Sequence, residues 1–261
     1  MKLLLLIINF FIRHLGLRIY NFEYDHGKNK LAKRIFRNRK LQSSSLGFWQ
    51  LDPMPSVNQL NEYYENAYWS NRGGKKMQIN ERDLVHWCIL NEYLSDIKKT
   101  KLNFLNFGAG HGGVSHLFWC FGHSVYNVEP SFIPKVYDER WVNYKTIKEV
   151  KDNSIDIIYG SHSLEHVQNI QEFMFDVTRI SKDNACMFWE VPNGLHPSNG
   201  AIENKIFIPH TYYFRKEYFE NILSKIFLCS TFNSPKSFDQ IQNWKEFESD
   251  EGNVIRVLGK F

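Results

Sequence analysis

The chain lacks a hydrophobic run long enough to cross a membrane. Its longest, Leu-Leu-Leu-Leu-Ile-Ile-Asn-Phe-Phe-Ile at residues 3–12, falls well short of the ~20 residues a spanning helix needs, and Asn9 interrupts it. No small-x-small cleavage site follows it. Arg13 and His14 stand there instead, which argues against a secretory signal. Also missing is any close pair of cysteines. Cys88, Cys120, Cys186 and Cys229 are far apart, with no C-x-x-C spacing, which excludes a disulfide frame or a cysteine-based zinc site and fits reduced core residues of a cytosolic protein. No internal repeat and no low-complexity tract occurs. The main body also lacks positive charge. The formal net charge is +4, yet ten Lys and Arg against two acids give +8 over residues 1–40, which leaves −4 for the rest. A nucleic acid bound across the main domain is therefore not expected.

What is present divides the chain in two. Residues 1–95 read as a basic, apolar segment with a helical cap, and residues 96–261 as the main domain. Two readings of the N-terminal apolar run remain open. It is a helix packed on its own domain or on a second subunit, or an interfacial helix whose Lys and Arg neighbours face anionic lipid at the inner face of the membrane. A Pro-rich stretch, Leu51–Pro55, precedes a helix beginning near Ser56. The aromatics Tyr63, Tyr64, Tyr68 and Trp69 then form either core or a lid, Gly73-Gly74-Lys75-Lys76 reads as a mobile loop, and residues 79–97 read as a helix.

From Lys101 strands alternate with helices. Strands are expected at Leu102–Phe107, Ser124–Val128, Trp141–Tyr144, Ile155–Tyr159 and Ala185–Val191, with a final pair at Leu228–Phe232 and Asn253–Phe261. Helices are expected at Gly113–Phe121 and Lys216–Lys225, and Leu164–Ser181 is expected to be mostly helix. This order implies an α/β fold, a doubly wound, mostly parallel seven-stranded sheet with sites at the strand ends.

The first strand runs into Gly108-Ala109-Gly110-His111-Gly112-Gly113, and Glu129 closes the next strand. Glycines let a backbone turn sharply and approach a ligand without a Cβ in the way. A carboxylate one strand over accepts hydrogen bonds from ribose hydroxyls. The run also fits G-x-G-x-x-G, so the residues alone leave a nicotinamide cofactor and another adenosine-containing cofactor both open.

Taken in order, Phe104–Gly112, Asn127-Val128-Glu129-Pro130 and Asp156–Val167 resemble the class I S-adenosylmethionine-dependent methyltransferases. Glu190-Val191-Pro192-Asn193 and His210-Thr211-Tyr212-Tyr213-Phe214 are similar to the later blocks of members that methylate sugars and other small molecules. The resemblance covers about residues 56–261 and implies a Rossmann-like fold, S-adenosyl-L-methionine as cofactor, and its contacts at Phe107, Gly108, Ala109, Gly110, Gly112, Glu129, Pro130 and Ser161, to which the lid reading of the aromatic cluster adds Tyr68. Where family members usually carry Asp before the turn, this chain has Asn106. The acidic residue that meets adenine in the family has no match near Tyr144–Ile147.

Methyl transfer to a hydroxyl needs a positioned acceptor and a base. His162, just past the fourth strand, and His210, after the fifth, are the candidates, with Glu190 at a strand end as a base or a hydroxyl acceptor. His162-Ser163-Leu164-Glu165-His166 also spells H-x-x-E-H, but His162 precedes the expected helix and no third ligand stands out, so no metal is expected. The function expected is O-methylation of a small polar acceptor, such as a sugar or a precursor of a bacterial surface polysaccharide, by a cytoplasmic enzyme. A phosphoramidate or other phosphate-linked acceptor is the alternative. An NAD(P)-dependent oxidoreductase or a non-catalytic cofactor-binding scaffold are the readings from other classes.

Overall fold

The computed structural model describes residues 21–24, 30–68, 77–94, 97, 100–130, 140–199, 201–202, 205–234, 241 and 243–260. The apolar run at 3–12, Trp69 and the Gly73–Lys76 segment lie outside these residues.

Strand β1 (Asn21–Tyr24) is followed by helix α1 (Lys30–Phe36), strands β2 (Lys40–Ser44) and β3 (Phe48–Asp52), and helix α2 (Val57–Tyr63), which continues as one π turn, Tyr64–Tyr68. Helix α3 (Glu81–Tyr93) leads into the alternating part: β4 (Asn103–Phe107), α4 (Gly113–Cys120), β5 (Ser124–Val128), β6 (Val142–Tyr144), β7 (Ile155–Ser161), α5 (Ile170–Ile180) and β8 (Ser181–Pro192). The chain then runs through β9 (Lys205–Ile208), β10 (Tyr212–Phe214), α6 (Lys216–Ile222), β11 (Lys225–Phe232) and β12 (Val254–Lys260).

Seven strands form one sheet in the order β11-β12-β8-β7-β4-β5-β6. Strand β12 runs antiparallel to both neighbours, and the other pairings are parallel. The expected doubly wound, mostly parallel sheet is what forms. From β4 the chain builds outward through β5 and β6 on one side and through β7 and β8 on the other. That reversal opens a crevice at the carboxyl end of β4, which is where such sheets bind ligands.

The two faces of the sheet bury different side chains with the period of two that a strand imposes. Leu105, Ile158, Met187, Trp189, Val191, Ile255 and Val257 pack under α5 and α6 with Phe173, Val177, Ile180 and Phe219. Phe104, Ile157, Tyr159, Phe188, Val254 and Leu258 face α3 and α4 with Val85, Ile89, Leu90, Val114 and Phe118. Helix α3 thus belongs to the core of the large sheet, although the sequence places a domain boundary after it.

The N-terminal extension, expected to be helical, carries strands as well as helices. Strands β2 and β3 form a hairpin, and β10 from the second half of the chain pairs antiparallel with β3. Gly47, at φ +95°, turns that hairpin where an added Cβ would lie 2.6 Å from the Tyr218 backbone nitrogen. Helix α1 buries Ala32, Ile35 and Phe36 in a third cluster with Leu51, Leu60, Tyr63 and Tyr213. Helix α2 starts where expected: Ser56 and Gln59 form a reciprocal capping box. The helix expected over Leu164–Ser181 is broken. A 3₁₀ turn covers Leu164–His166, Val167 is extended, and Asn169 caps α5 by accepting from the amides of Gln171 and Glu172. Among the described residues no helix is long and apolar enough to cross a membrane.

Gly160 in β7 lies against Trp189 of β8, and an added Cβ would come within 2.1 Å of the indole Cζ3 and 2.7 Å of Ser163 Oγ. Gly160→Ala is therefore expected to destabilise the fold by ~2 kcal/mol through overpacking, read from the midpoint of urea unfolding. An unchanged midpoint would show that the indole yields freely.

Candidate active site at the carboxyl edge of the sheet

The chain leaves β4 through a turn in which Gly108, Gly110 and Gly112 all have positive φ (68°, 51° and 72°). The Gly108 amide donates to Val128 O at 2.8 Å, which fastens the turn to the end of β5. Glu129, at that end and only 8% exposed, accepts from the Gly110 amide through Oε2 at 3.2 Å. Asn106, where the family usually carries an acid, lines the cavity at the turn. Its Nδ2 donates to Ser115 Oγ at 2.9 Å, and Ser115 donates to Asn127 Oδ1 at 2.7 Å, so its side-chain amide serves to join β4, α4 and β5.

These residues line a cavity of about 470 Å³, within the ordinary range for small-molecule sites. All nine positions expected to contact the cofactor lie on its wall: Tyr68, Phe107, Gly108, Ala109, Gly110, Gly112, Glu129, Pro130 and Ser161. His162 and His210 line it too. Residues 144–147 do not.

Glu190 is corrected as a catalytic candidate. It does not line the cavity and is 1% exposed. Its Oε2 accepts from Arg256 Nε at 2.7 Å, directly across the β8–β12 pair, and from His86 Nε2 at 2.9 Å, while Oε1 lies 3.3 Å from both Arg82 Nε and His162 Nε2. Burial opposes its ionisation, but His86, Arg256 and His162 outweigh this and hold the carboxyl well below its ordinary range. A carboxylate so stabilised is a poor proton acceptor. It acts instead as a fixed negative charge beneath the cavity.

His86 on α3 was missed by the sequence reading. Burial lowers it to about 4, so near neutral pH it is uncharged. It then donates through Nε2 to Glu190, and its Nδ1 accepts from the Tyr159 hydroxyl at 2.8 Å.

His162 adopts φ +49°, a left-handed conformation costly for a side chain with a Cβ. Among the described residues, the other non-glycine positions with positive φ are all asparagines, Asn38, Asn153 and Asn184. The strain is held by the His162 amide, which donates to Glu190 O at 2.8 Å. The ring stands between two acids, with Nδ1 3.4 Å from Glu165 Oε1 and Nε2 3.3 Å from Glu190 Oε1. Burial and Arg82 lower its pKa, but Glu165 and Glu190 prevail and the net shift is upward.

The broken helix turns Glu165 and His166 into the same cavity, beside His210. The His166 and His210 rings are 5.0 Å apart, and the π turn lays Tyr64 and Tyr68 edge-on to His166 at 6.2 and 6.3 Å. Thr211 fixes this arrangement. Its amide and hydroxyl each donate to Glu165 O at 2.8 Å, and the hydroxyl also reaches Val167 O at 2.7 Å. On the opposite wall Asn80 caps α3 with Asp83, and the Asp83 carboxylate lies beside Gly113, where an added Cβ would be 2.2 Å from Oδ2. The sequence reading missed Asn80, Arg82 and Asp83. The Asn80-x-x-Asp83 spacing just before an apolar helix was the available signal.

The donors present fit a cationic adenosyl cofactor. Glu129 offers carboxylate oxygen at a strand end, and Asp83 occupies the start of α4, where a nicotinamide cofactor would need to place its pyrophosphate. Residues 79–245 match the family model described as methyltransferase domain, which is more than half of the chain. The chain belongs to that family; it is a methyltransferase and its cofactor is S-adenosylmethionine. The match favours the methyltransferase reading over the oxidoreductase one. The fold is similar to that of an S-adenosylmethionine-dependent methyltransferase from Mesorhizobium loti, with a TM-score of 0.52 and 11% identity over 70% of this chain and 100% of that one. A second such methyltransferase, from Archaeoglobus fulgidus, gives a TM-score of 0.48 and 16% identity over 79% of this chain and 100% of that one. No curated protein matches the chain in sequence.

Because His86 is held below its ordinary 6.5, its contribution to stability is complete above that pH and is lost as pH falls toward about 4, when the folded form must also take up the proton. Glu190, Arg256, Arg82, Tyr159 and Asp83 surround it. Asp83, raised by burial to about 6, titrates in both parent and variant, so comparing the two isolates His86. His86→Gln is expected to cost more unfolding free energy at pH 7 than at pH 4.5. An equal cost at both pH values would contradict a neutral His86.

Proposed function

We propose that this methyltransferase acts on an oxygen of a small polar acceptor, with His162 as the base that takes the hydroxyl proton. The observation that carries this reading is the convergence of the His162, His166 and His210 imidazoles on the cavity beyond the glycine turn. Bound at that turn, S-adenosylmethionine supplies a methyl group made electrophilic by its sulfonium. The chain must supply placement and a proton acceptor. Glu129 would hold the ribose hydroxyls, and Arg82 and Asp83 offer opposite charges to the carboxylate and ammonium of the amino-acid end. His162 has two carboxylates beside it, Glu165 and Glu190, which stabilise the imidazolium it becomes on taking the proton.

A sugar, or a sugar-containing precursor of a bacterial surface polysaccharide, is the acceptor class proposed. It rests on the similarity of the blocks at Glu190–Asn193 and His210–Phe214 to those of sugar-methylating members. An anionic, phosphate-linked acceptor has less support. Lys75 and Lys76 lie outside the described residues, and Arg215 packs over the Trp49 ring without lining the cavity. Among the described residues, Arg82 is the one Lys or Arg on the cavity wall. An enzyme acting on such a precursor would work in the cytoplasm, where the basic segment 1–40 fits a contact with anionic lipid or a second copy.

The test is turnover on a panel of sugars and nucleotide sugars, followed by release of S-adenosylhomocysteine. His162→Ala is expected to lower kcat by about 10²–10⁴-fold while S-adenosylhomocysteine binds as in the parent. Undiminished kcat, or a product methylated on nitrogen, would contradict the assignment.

A further inference from the structure

His162 and His166 spell H-x-x-E-H, but the fold does not make them a helical pair: His162 directly follows β7 and His166 lies in the 3₁₀ turn. The fold assembles a different set. Glu165, His166 and His210 each present a ligand atom to the cavity, and these three atoms lie within 4.8 Å of one another. Glu165 is fully buried, and neither of its carboxylate oxygens meets a hydrogen-bond partner in good geometry; His162 Nδ1 and His166 Nε2 stand 3.4 and 3.8 Å from Oε1. Burying a carboxylate without filling its lone pairs is costly, so the site calls for a cation.

The ligand-bearing segments are also held in place from behind. The double bond from Thr211 to Glu165 O, with the second contact at Val167 O, ties the 3₁₀ turn to the residue next to His210. Thr211, just before β10, is held in turn by its carbonyl, which accepts from the Leu51 amide of β3 at 3.0 Å. Outer-shell restraint of this kind orients metal ligands before the ion arrives. Two imidazoles and one carboxylate with an open side suit a divalent transition metal that keeps positions for exogenous oxygen.

We propose that Glu165, His166 and His210 bind one divalent transition-metal ion in the cavity, with its open positions facing the acceptor. His162 stays outside the ligand set and restrains Glu165 through Nδ1. An ion so placed orients acceptor oxygens and favours loss of a hydroxyl proton to His162. This use of the ion rests on the oxygen-acceptor reading above, whereas the ion site does not.

The experiment is a titration of the metal-stripped full chain with cobalt(II), read by its visible d–d absorption, for the parent and for His166→Asn and His210→Asn. The expected result is one cobalt per chain with a low-symmetry spectrum, and affinity reduced more than about ten-fold in each variant while S-adenosylhomocysteine still binds. Absence of saturable binding by the parent, or equal binding by both variants, would overturn the site. Thr211→Val is a milder second probe, with weakened cobalt binding expected and unchanged binding counting against the restraint described. Because cobalt binding is read without any acceptor, its failure leaves the assignment of His162 standing. Undiminished turnover by His162→Ala would do the reverse.

Discussion

Burying a carboxylate is tolerable only when other groups replace the water it gives up, and Glu190 draws those groups from three parts of the fold. Arg256 comes from the neighbouring antiparallel strand, His86 and Arg82 from α3, and His162 from the end of β7. Removing one partner of such a pair typically costs about 3–5 kcal/mol, because the other is left buried and uncompensated. Glu190 therefore fixes more than stability. It sets where α3 lies on the sheet, and α3 brings Arg82 and Asp83 to one wall of the cavity. It also holds the strained backbone of His162 through its carbonyl and faces the ring through its carboxylate.

The cavity lies between this network and the glycine turn. On the turn side, backbone does most of the work: positive-φ glycines, amide donors to Val128 and Glu129, and the asparagine–serine–asparagine bridge behind them. On the far side, side chains carried by the smaller antiparallel sheet do it. That sheet carries Thr211 and His210 against the 3₁₀ turn, and the π turn after α2 adds Tyr64 and Tyr68. Under the proposed function the methyl donor meets the large sheet, whose form is common to the family, and the added elements build the acceptor end. A substrate preference particular to this chain would be set there.

Much of the large sheet was legible in the sequence because its strands are short, apolar and bounded by glycine, proline or asparagine. The Ser124–Val128 strand appears with the bounds expected, and the glycine turn and Glu129 fall on one cavity as the resemblance implied. The errors have physical causes. The helix read through Leu164–Ser181 is apolar at helical spacing, but Asn169 satisfies the first amides of α5 and starts it late, which frees the preceding turn to face the cavity. Glu190 looked like a base because it ends a strand near the site; its partners His86 and Arg256 are 104 and 66 residues away and no local pattern shows them. Arg256, alone among Val254, Ile255, Val257 and Leu258, was the visible hint, since a charge in so apolar a strand needs a buried partner.

The central claim is that one cavity joins a cofactor seat at the glycine turn to the His162 end of the sheet. A crystal structure with S-adenosylhomocysteine tests it most directly. The account predicts ribose hydroxyls on the Glu129 carboxylate, the amino-acid end between Arg82 and Asp83, and the sulfur facing the space beside His162. Density for the nucleoside away from Glu129, or a sulfur turned away from the three histidines, would contradict it.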